Sequence, residues 1–351
     1  MPERPDAHER PPEALRTLYK QWQKATLSEP ESTLADGNNS DSFHLTEQDK
    51  LFPKTIDVAF EDFTGEADSR HFTEAPRVYS VNSVPGLFYY PKLLPEHVQI
   101  SLLDKLLHRD LSNPDHKTNV QLHYDVSYPS DTASIFDVSA QSLQHNPKAG
   151  HASLTSRKML DKKLRWMTLG AQYDWTNKVY PAGPPPPFPK DIKDLLEGIF
   201  PMKAEAAIVN LYSPGDTLSI HRDVSEECAQ PLISISIGCD ALLIVGLEDK
   251  QVPNGPLRSA VLRLKSGDAV LMSGASRYAW HGVPKVLAGT CPDWLRDWPA
   301  VGDEENVKRF EGYKGWMKGK RVNLNVRQMF AQADESHRGS AGHDHAATSL
   351  S

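Results

Sequence analysis

The second half of this sequence alternates apolar and polar residues with a period of two, and this pattern limits the available folds more than any other feature. In the segment 231–238, PLISISIG, Ile233, Ile235 and Ile237 alternate with serines. A period of two is typical of a strand with one buried face. Several such short strands, separated by turns, predict a mainly β fold with flanking helices: a sandwich, a jelly roll or a barrel.

Further segments of this half are also predicted to be strands. Residues 261–265 and 269–273 flank the turn residues Gly267 and Asp268, and we expect a hairpin there. In the segment 321–327, arginine or asparagine at every odd position alternates with valine or leucine. A strand face this polar either meets water or lines a functional cavity.

The rest of the chain divides by composition. The spacing of Leu15, Leu18 and Trp22 predicts an amphipathic helix, and helical patterns recur at 96–107 and 191–200. We expect five segments: an N-terminal extension with the amphipathic helix (1–27), a flexible, partly ordered linker (28–75), an N-terminal part (76–190), a β core (191–332) and a disordered tail (333–351).

Composition excludes several classes of protein. The 351-residue chain has no run of eighteen apolar residues and no secretion signal at its N-terminus, and its three cysteines lack a paired spacing. We expect a soluble, cytoplasmic or nuclear monomer with no membrane partner, disulfide framework or thiolate zinc site. The net charge of −7 argues against a surface that is basic throughout, but it allows local basic patches.

A His-x-Asp pattern puts an imidazole and a carboxylate on the same side of a strand, where both can bind one metal ion. The pattern occurs three times, beginning at His108, His123 and His221. The first copy is similar to the catalytic loop of kinases, but the chain lacks their Gly-rich loop and Asp-Phe-Gly sequence. We expect His108 and His123 to be packing or surface residues.

The third copy differs in its context. His221 and Asp223 precede the Ile/Ser strand, and His281 follows 60 residues after His221. Two histidines and one carboxylate leave three sites of an octahedron open, as in non-haem Fe(II) oxygenases. A 2-oxoglutarate co-substrate would need a cation for its far carboxylate, and Arg321 and Arg327 are predicted to share one strand face. A solvated edge strand is the alternative for that face.

Five separated blocks resemble the AlkB family of nucleic-acid demethylases in order and spacing, over roughly residues 76–328. The blocks are NLYSPG (210–215), HRD (221–223), PLISISIG (231–238), GDAVLMSGASRYAWHG (267–282) and RVNLNVR (321–327). Details such as HRDVSE and LRWMTLGAQYDW are most similar to the AlkB homologue 1 branch. The resemblance implies a double-stranded β-helix (jelly roll) core within 191–332 and a lid that faces the substrate within 76–190.

The resemblance also implies roles for single residues. The Fe(II) ligands would be His221, Asp223 and His281. The residues that bind 2-oxoglutarate, a co-substrate together with O2, would be Asn210, Tyr212, Arg321, Asn323 and Arg327. Trp166 and Tyr173 lie at the spacing of two lid aromatics that contact the substrate nucleotide in bacterial relatives; ordinary packing is the alternative. Bacterial AlkB has an acidic residue where this chain has Ser225, which weakens any transfer of the bacterial preference for alkylation damage to this chain.

Five cations lie within nine residues next to Trp166: Arg157, Lys158, Lys162, Lys163 and Arg165. A charge run is usually a solvated face, but beside stacking aromatics it is a candidate edge for contacts with nucleic-acid phosphates. The stretch 287–320, which contains Trp294, Trp298 and Trp316, is longer than in the bacterial protein. Its role stays open at this point.

By this resemblance the chain oxidatively demethylates bases in DNA or tRNA and releases formaldehyde, succinate and CO2. The target base would be single-stranded, in a loop or flipped out, because a paired base cannot reach the metal. Three alternatives stand: a histone demethylase with the same chemistry, an abasic-site lyase, which needs an amine and no iron, and a non-catalytic nucleic-acid-binding protein. The sequence does not distinguish DNA, tRNA and histone substrates.

Overall fold

The structure is a computed structural model, and it describes residues 5–6, 8–26, 43–46, 53–65, 76–130, 133–174, 180–181, 183–248 and 257–330. The predicted disordered tail and most of the predicted linker lie outside these ranges. Within the linker segment the structure describes a short strand and a helix. No helix in the described ranges is long and apolar enough to cross a membrane.

The described residues form strands over much of their length. In chain order these are β1 (Phe43–Leu45), β2 (Tyr79–Val81), β3 (Leu87–Tyr90), β4 (Tyr124–Asp125), β5 (Gln144–Pro147), β6 (Leu154–Thr155), β7 (Trp166–Gly170), β8 (Ala206–Tyr212), β9 (Leu218–His221), β10 (Leu232–Gly238), β11 (Ala241–Leu247), β12 (Arg258–Leu264), β13 (Ala269–Met272), β14 (Trp280–Val286) and β15 (Arg321–Arg327).

The α-helices are α1 (Glu13–Lys24), α2 (Pro53–Thr64), α3 (Glu96–Leu103), α4 (Ser156–Lys158), α5 (Lys190–Ile199) and α6 (Glu304–Phe310). π-Helical turns at Asp104–Asp110 and Met159–Lys163 continue α3 and α4. Short 3-10 helices lie at Asn119–Leu122, Val138–Ala140, Gly274–Tyr278, Asp293–Leu295, Glu311–Tyr313 and Met317–Gly319. The helices predicted at 14–25, 96–107 and 191–200 correspond to α1, to α3 with its π-helical continuation, and to α5.

Two antiparallel sheets form the core. Within the described ranges the large sheet has the order β1-β2-β3-β13-β10-β15-β8-β7, the small sheet has the order β12-β11-β14-β9, and β4, β5 and β6 form a minor third sheet. From β8 to β15 the chain passes repeatedly between the two main sheets, which is the arrangement of a double-stranded β-helix. The predicted fold class, mainly β with a jelly-roll core and flanking helices, is confirmed. Strands β3 and β7 come before the predicted boundary at residue 190, and they join the large sheet beside strands that come after it. The two predicted segments therefore share this sheet.

The two faces of the large sheet have opposite character. Ile233, Ile235 and Ile237 of β10 belong to a buried apolar cluster that also contains Phe60 of α2 and Leu195 of α5. The serines of β10 point to the other side, as does the polar row of β15. Every residue of β15 is buried, so its polar face lines the interior of the jelly roll and is not a solvated edge.

The predicted hairpin at 261–273 is wrong. β12 pairs with β11 in the small sheet, whereas β13 pairs with β10 and β3 in the large sheet. The link between them crosses from one sheet to the other, and the Asp268 carboxylate holds it in place. This carboxylate accepts hydrogen bonds from the backbone N–H groups of Lys92 (2.8 Å) and Lys265 (2.7 Å) and from the Tyr89 hydroxyl (2.8 Å). The turn residues correctly predict that a strand ends there. They do not show which sheet the next strand joins, because strands of both sheets have the same period of two.

The N-terminal helix α1 covers the outer face of the small sheet. Leu15 is fully buried there with Leu242, Ile244 and Trp280, one residue before His281. Near the C-terminal end of α1, the Lys285 ammonium donates a hydrogen bond to the backbone carbonyl of residue 25. The helix therefore packs on the back of the strands whose other face points into the jelly roll.

Gly238, at the end of β10, lies very close to the backbone that leads into β15, and a substitution there tests whether this close contact is needed for stability. Its φ is +95°, and a Cβ there would lie 2.4 Å from the backbone carbonyl oxygen of Lys320. We expect Gly238→Ala to lower the free energy of unfolding by more than about 2 kcal/mol, because an L side chain resists this φ and would push β15 away. Urea denaturation followed by circular dichroism measures the change.

Gly319→Ala is the matched control for this substitution. A Cβ at Gly319 would meet no atom within 4 Å, so its effect should stay within about 0.5 kcal/mol. Equal stability of the two variants would show that the close contact at Gly238 is not needed.

Candidate metal centre and co-substrate site

Two histidines lie side by side because β9 pairs with β14. His221 is directly opposite His281 in this ladder, and their ring centroids are 4.3 Å apart. Asp223 lies just beyond β9, and its carboxylate oxygens are 3.7 Å from His221 Nε2 and 3.8 Å from His281 Nε2. Ligand atoms of the three side chains all lie within 4.8 Å of one another. At this spacing a single metal ion can contact all three.

The other nitrogen of each ring is bonded to backbone. His221 Nδ1 lies 2.9 Å from the carbonyl oxygen of Ser219, and His281 Nδ1 lies 3.1 Å from that of Ala279. A carbonyl only accepts, so each Nδ1 carries a proton, and the Nε2 atom of each ring faces Asp223. Burial, with the neighbouring His221 adding to it, lowers the pKa of His281 to about 4. The ring is therefore neutral near pH 7, which is the form that binds a metal.

Asp223 is held ionised in spite of its burial. Burial alone would raise the pKa of its carboxyl. The Arg327 guanidinium and the two histidines together outweigh burial and lower this pKa. Arg327 Nη2 donates a hydrogen bond of 2.7 Å to Asp223 Oδ2. Burial likewise disfavours the charge on Arg327, yet Asp223 and Glu226 raise its pKa overall. The pair thus keeps a carboxylate ligand and a cation side by side in the interior.

At the other end of β15, Arg321 is buried with donors to spare. Its Nη2 donates to Ser236 Oγ at 2.9 Å, but among the described residues its Nε and Nη1 have no hydrogen-bond partner. The guanidinium carbon lies 5.3 Å from the ring centroid of Tyr212, whose buried hydroxyl also lacks a partner there. Burial lowers the pKa of Arg321. Leaving such donors unmet is costly, so the site is suited to a carboxylate that accepts from both side chains.

Asn323 and Asn210 lie between these two ends. They are paired directly across β15 and β8, and Trp166 of β7 lies opposite Asn210 in the same row. Asn323 Nδ2 donates to Ser234 Oγ at 2.8 Å and to the carbonyl of Ile235 at 2.9 Å. The serines of β10 therefore position the polar row of β15, a role that the sequence analysis missed although their alternation with isoleucine marked the face.

A cavity of about 290 Å³ opens at His221 and Asp223, and aromatic rings form part of its wall. Tyr173 lines it, with its hydroxyl 3.4 Å from Ser225 Oγ and its ring 5.1 Å from that of Tyr180, edge to face. Trp166 is half-buried and does not line this cavity. Tyr180, also in the wall, was missed because no local pattern marks it.

A buried ionic network supports the site from within. Arg277 donates to the backbone carbonyl of Asp223 at 2.9 Å and to Glu226 Oε2 at 2.8 Å, and Glu226 Oε1 lies 2.9 Å from Arg327 Nε. Both Arg277 and Glu226 are 2% exposed, so the charges are shielded from water and depend on one another. Neither residue was predicted, since the partners are far apart in sequence.

A second brace holds the metal-binding strands from outside. The Arg222 guanidinium, between the first two ligands, lies 4.0 Å from the ring centroid of Trp280, which precedes the third ligand. Glu248 Oε2 accepts from Arg222 Nη2 at 3.0 Å and from Trp280 Nε1 at 3.1 Å. Glu9, ahead of α1, also pairs with Arg222. The N-terminal extension thus reaches the back of the site.

The other His-x-Asp copies do not form metal sites in the described ranges, where the His221 group alone has the required geometry. His108 is stacked on Phe310, with ring centroids 4.3 Å apart, and is hydrogen-bonded to Ser134. Burial, with Arg309 nearby, lowers its pKa to about 4. The prediction that His108 is a packing residue is confirmed.

The predicted basic run divides into paired and exposed members. Arg157 pairs with Asp161 and Arg165 with Asp216, each at 2.7 Å. The lysines of the run, Lys158, Lys162 and Lys163, are exposed. Two of the five cations are therefore already engaged in ion pairs.

Known proteins resemble the chain over most of its length. Residues 86–327 match the family described as the 2OG-Fe(II) oxygenase superfamily. The chain is 43% identical to the N6-methyladenosine RNA demethylase ALKB1 of Pyricularia oryzae (92% of this chain, 97% of that protein). It is 47% identical to the N6-methyladenosine RNA demethylase ALKBH of Cryphonectria parasitica (60% and 99%) and 38% identical to the tRNA demethylase abh1 of Schizosaccharomyces pombe (72% and 82%). The chain therefore belongs to the 2OG-Fe(II) oxygenase superfamily and, within it, to the AlkB family near the AlkB homologue 1 branch.

Proposed function

We propose that this chain is an Fe(II)- and 2-oxoglutarate-dependent dioxygenase that demethylates bases in nucleic acid. The observation that carries the proposal is that the His-Asp-His group and the buried arginines of β15 lie on the inner side of one jelly roll. The family implies Fe(II), 2-oxoglutarate and O2. When bound, the iron and its co-substrates supply the oxidation of a methyl group, which then leaves as formaldehyde.

In this proposal His221, Asp223 and His281 hold the iron through two imidazole Nε2 atoms and a carboxylate. Arg327, which contacts Asp223, would serve the keto acid end of 2-oxoglutarate. Arg321 binds the far carboxylate, because its free guanidinium donors offer a fork to two oxygens.

The neutral side chains of the row complete this co-substrate site. Asn210, Tyr212 and Asn323 would bind 2-oxoglutarate between the two arginines. The unpaired Tyr212 hydroxyl beside Arg321 supports this assignment, as does the direct pairing of Asn210 with Asn323.

The proposed substrate is a methylated adenine in RNA. The relatives that are 43% and 47% identical are named as N6-methyladenosine RNA demethylases, and the one at 38% as a tRNA demethylase. Tyr173 and Tyr180 supply apolar ring surface on which a flipped base can stack. Trp166, which lies opposite Asn210 on the neighbouring strand β7, stays a proposed contact of the substrate.

The test of this proposal is formaldehyde release with mass spectrometry of the bases. The panel would hold RNA and DNA oligonucleotides with N6-methyladenine, methylated tRNA and methylated histone peptides, with and without Fe(II) and 2-oxoglutarate. Turnover of methylated RNA is expected. Turnover of the histone peptides alone, or cleavage of abasic strands that persists with a chelator, would favour the corresponding alternative activity and contradict the proposal.

Removing the carboxylate ligand should abolish the reaction. We expect Asp223→Ala, and the nearly isosteric Asp223→Asn, to lose Fe(II) binding and at least about 1,000-fold in 2-oxoglutarate turnover, because a facial triad cannot form. Asp125→Ala is the matched control, since it removes the exposed acid of another His-x-Asp copy. Succinate formation measures the effect, circular dichroism checks folding, and full activity of both Asp223 variants would refute the ligand assignment.

Arg321→Lys tests the co-substrate site. The substitution keeps a positive charge but removes the planar fork, so we expect the half-saturating 2-oxoglutarate concentration to rise about tenfold or more. Arg258→Lys, at an exposed position of β12, should leave this concentration unchanged. An unaltered 2-oxoglutarate titration in Arg321→Lys would remove that residue from the site.

Tyr173→Ala tests the aromatic wall. Loss of a stacking ring should lower kcat/KM for a methylated oligonucleotide about tenfold or more, because base stacking on an aromatic ring contributes roughly 1–3 kcal/mol. Consumption of 2-oxoglutarate without substrate serves as the internal control and should be unaffected. If kcat/KM falls only in Trp166→Ala, the base stacks on that residue and not on Tyr173.

A further inference from the structure

The basic run and the stretch 287–320, which are far apart in sequence, meet in one open pocket of about 550 Å³. Five cations line it, two from the basic run and three from the end of the stretch: Arg157, Lys162, Lys314, Lys318 and Lys320. Among its lining residues Asp161 supplies the one carboxylate. We call this site the lysine pocket.

The walls of the lysine pocket are firmly held. The Arg157 guanidinium lies 4.7 Å from the ring centroid of Tyr313 and pairs with Asp161. Lys320 is 8% exposed, and its ammonium donates to the backbone carbonyl of Asp161 and to Ser213 Oγ, each at 3.0 Å. These contacts connect the π-helical turn after α4 with the residues that follow β8 and precede β15, so Arg157 and Lys320 are fixed in the wall.

The stretch that carries three of these cations is packed into the core. Trp298 is fully buried, and its ring lies 5.4 Å from Phe136 and 5.9 Å from Trp316. Its indole N–H donates to Asp104 at 2.8 Å. The extra length of 287–320 therefore builds a structured wall beside the basic run.

The lysine pocket has more positive charge than its acidic residues neutralise, and more hydrogen-bond donors than its acceptors satisfy. Lys162 and Lys318 are exposed and form no ion pair with any acidic side chain that the structure describes. The Tyr313 hydroxyl and the Trp316 indole N–H are buried without a hydrogen-bond partner among the same residues. Burial, with Arg165 and Lys162 adding repulsion, lowers the pKa of Lys320 to about 8. A bound anion would relieve this accumulation of positive charge.

We propose that the lysine pocket binds backbone phosphates of the substrate nucleic acid, several nucleotides away from the base being demethylated. This inference rests on the proposed function. Lys320 immediately precedes Arg321, and from Arg321 to Arg327 the strand β15 extends six residues, roughly 20 Å at about 3.3 Å per residue. Arg327 contacts Asp223 at the candidate metal centre. A nucleic-acid strand that occupies both sites must therefore be longer than a few nucleotides.

The pair Lys162→Ala and Lys318→Ala in one protein tests the lysine pocket, because both side chains are exposed and their loss should not affect folding. We expect binding of a 20-nucleotide methylated RNA to weaken about tenfold, and the slope of log affinity against log salt to fall by about 1.4, two phosphates at about 0.7 each. Turnover of a methylated trinucleotide and uncoupled consumption of 2-oxoglutarate should not change. Fluorescence anisotropy and formaldehyde release measure these quantities.

Lys190→Ala with Lys308→Ala is the control, since it removes two exposed lysines outside the pocket. If both double variants bind the 20-nucleotide RNA alike while the wild type demethylates it, the pocket inference is overturned and the proposed function stands. If the wild type neither binds nor demethylates any oligonucleotide, both fall. Inorganic phosphate that binds the wild type but not Lys162→Ala/Lys318→Ala, without any change in RNA affinity, would show a site for small anions and also overturn the inference.

Discussion

The arrangement of the molecule depends on the burial of β15 in the middle of the large sheet. This strand pairs with β10 on one side and β8 on the other, and all seven of its residues are buried although four of them are polar or charged. Two guanidinium groups in an interior are tolerated only when anions and hydrogen-bond acceptors surround them. Asp223 and Glu226 supply these anions at Arg327. At Arg321, two guanidinium nitrogens have no hydrogen-bond partner among the described residues.

This difference between the two arginines distinguishes the two ends of the polar row of β15. At Arg327 the protein supplies both anions itself, so the cation fixes the carboxylate that stands next to the two imidazoles. At Arg321 the protein supplies one hydroxyl, and the donors left over match the carboxylate of a small ligand. The polar row is therefore preorganised, because the serines of β10 hold Asn323 and Arg321 before any ligand arrives.

The sequence alone predicted the parts of this site that depend on a strand period. Alternation in the segment 321–327 placed Arg321 and Arg327 on one face, and the position of His221 and Asp223 before the Ile/Ser strand selected one His-x-Asp copy from three. Alternation carries no information about which sheet a strand joins, so it predicts a hairpin at Gly267, where the chain crosses between the two sheets.

Contacts between distant segments lay outside what any local pattern encodes. Arg277 and Glu226 are 51 residues apart and meet only after the two sheets have formed. Tyr180 lies in the cavity wall, but the sequence around it has no regular period. The same limit applies to the stretch 287–320, because its lysines come to lie beside Lys162 only in the folded chain.

The charges of the cavity bear on which methylated base fits. Among its described lining residues the carboxylates are Asp223 and Glu226, and each is paired with arginine. Beside Tyr173, where bacterial AlkB has an acidic residue, this chain has the neutral hydroxyl of Ser225. A base that carries a positive charge after methylation at a ring nitrogen would find no free carboxylate to stabilise it. A base methylated on its exocyclic amine stays neutral and does not need such a carboxylate, so the charges of the cavity are compatible with the proposed methylated adenine.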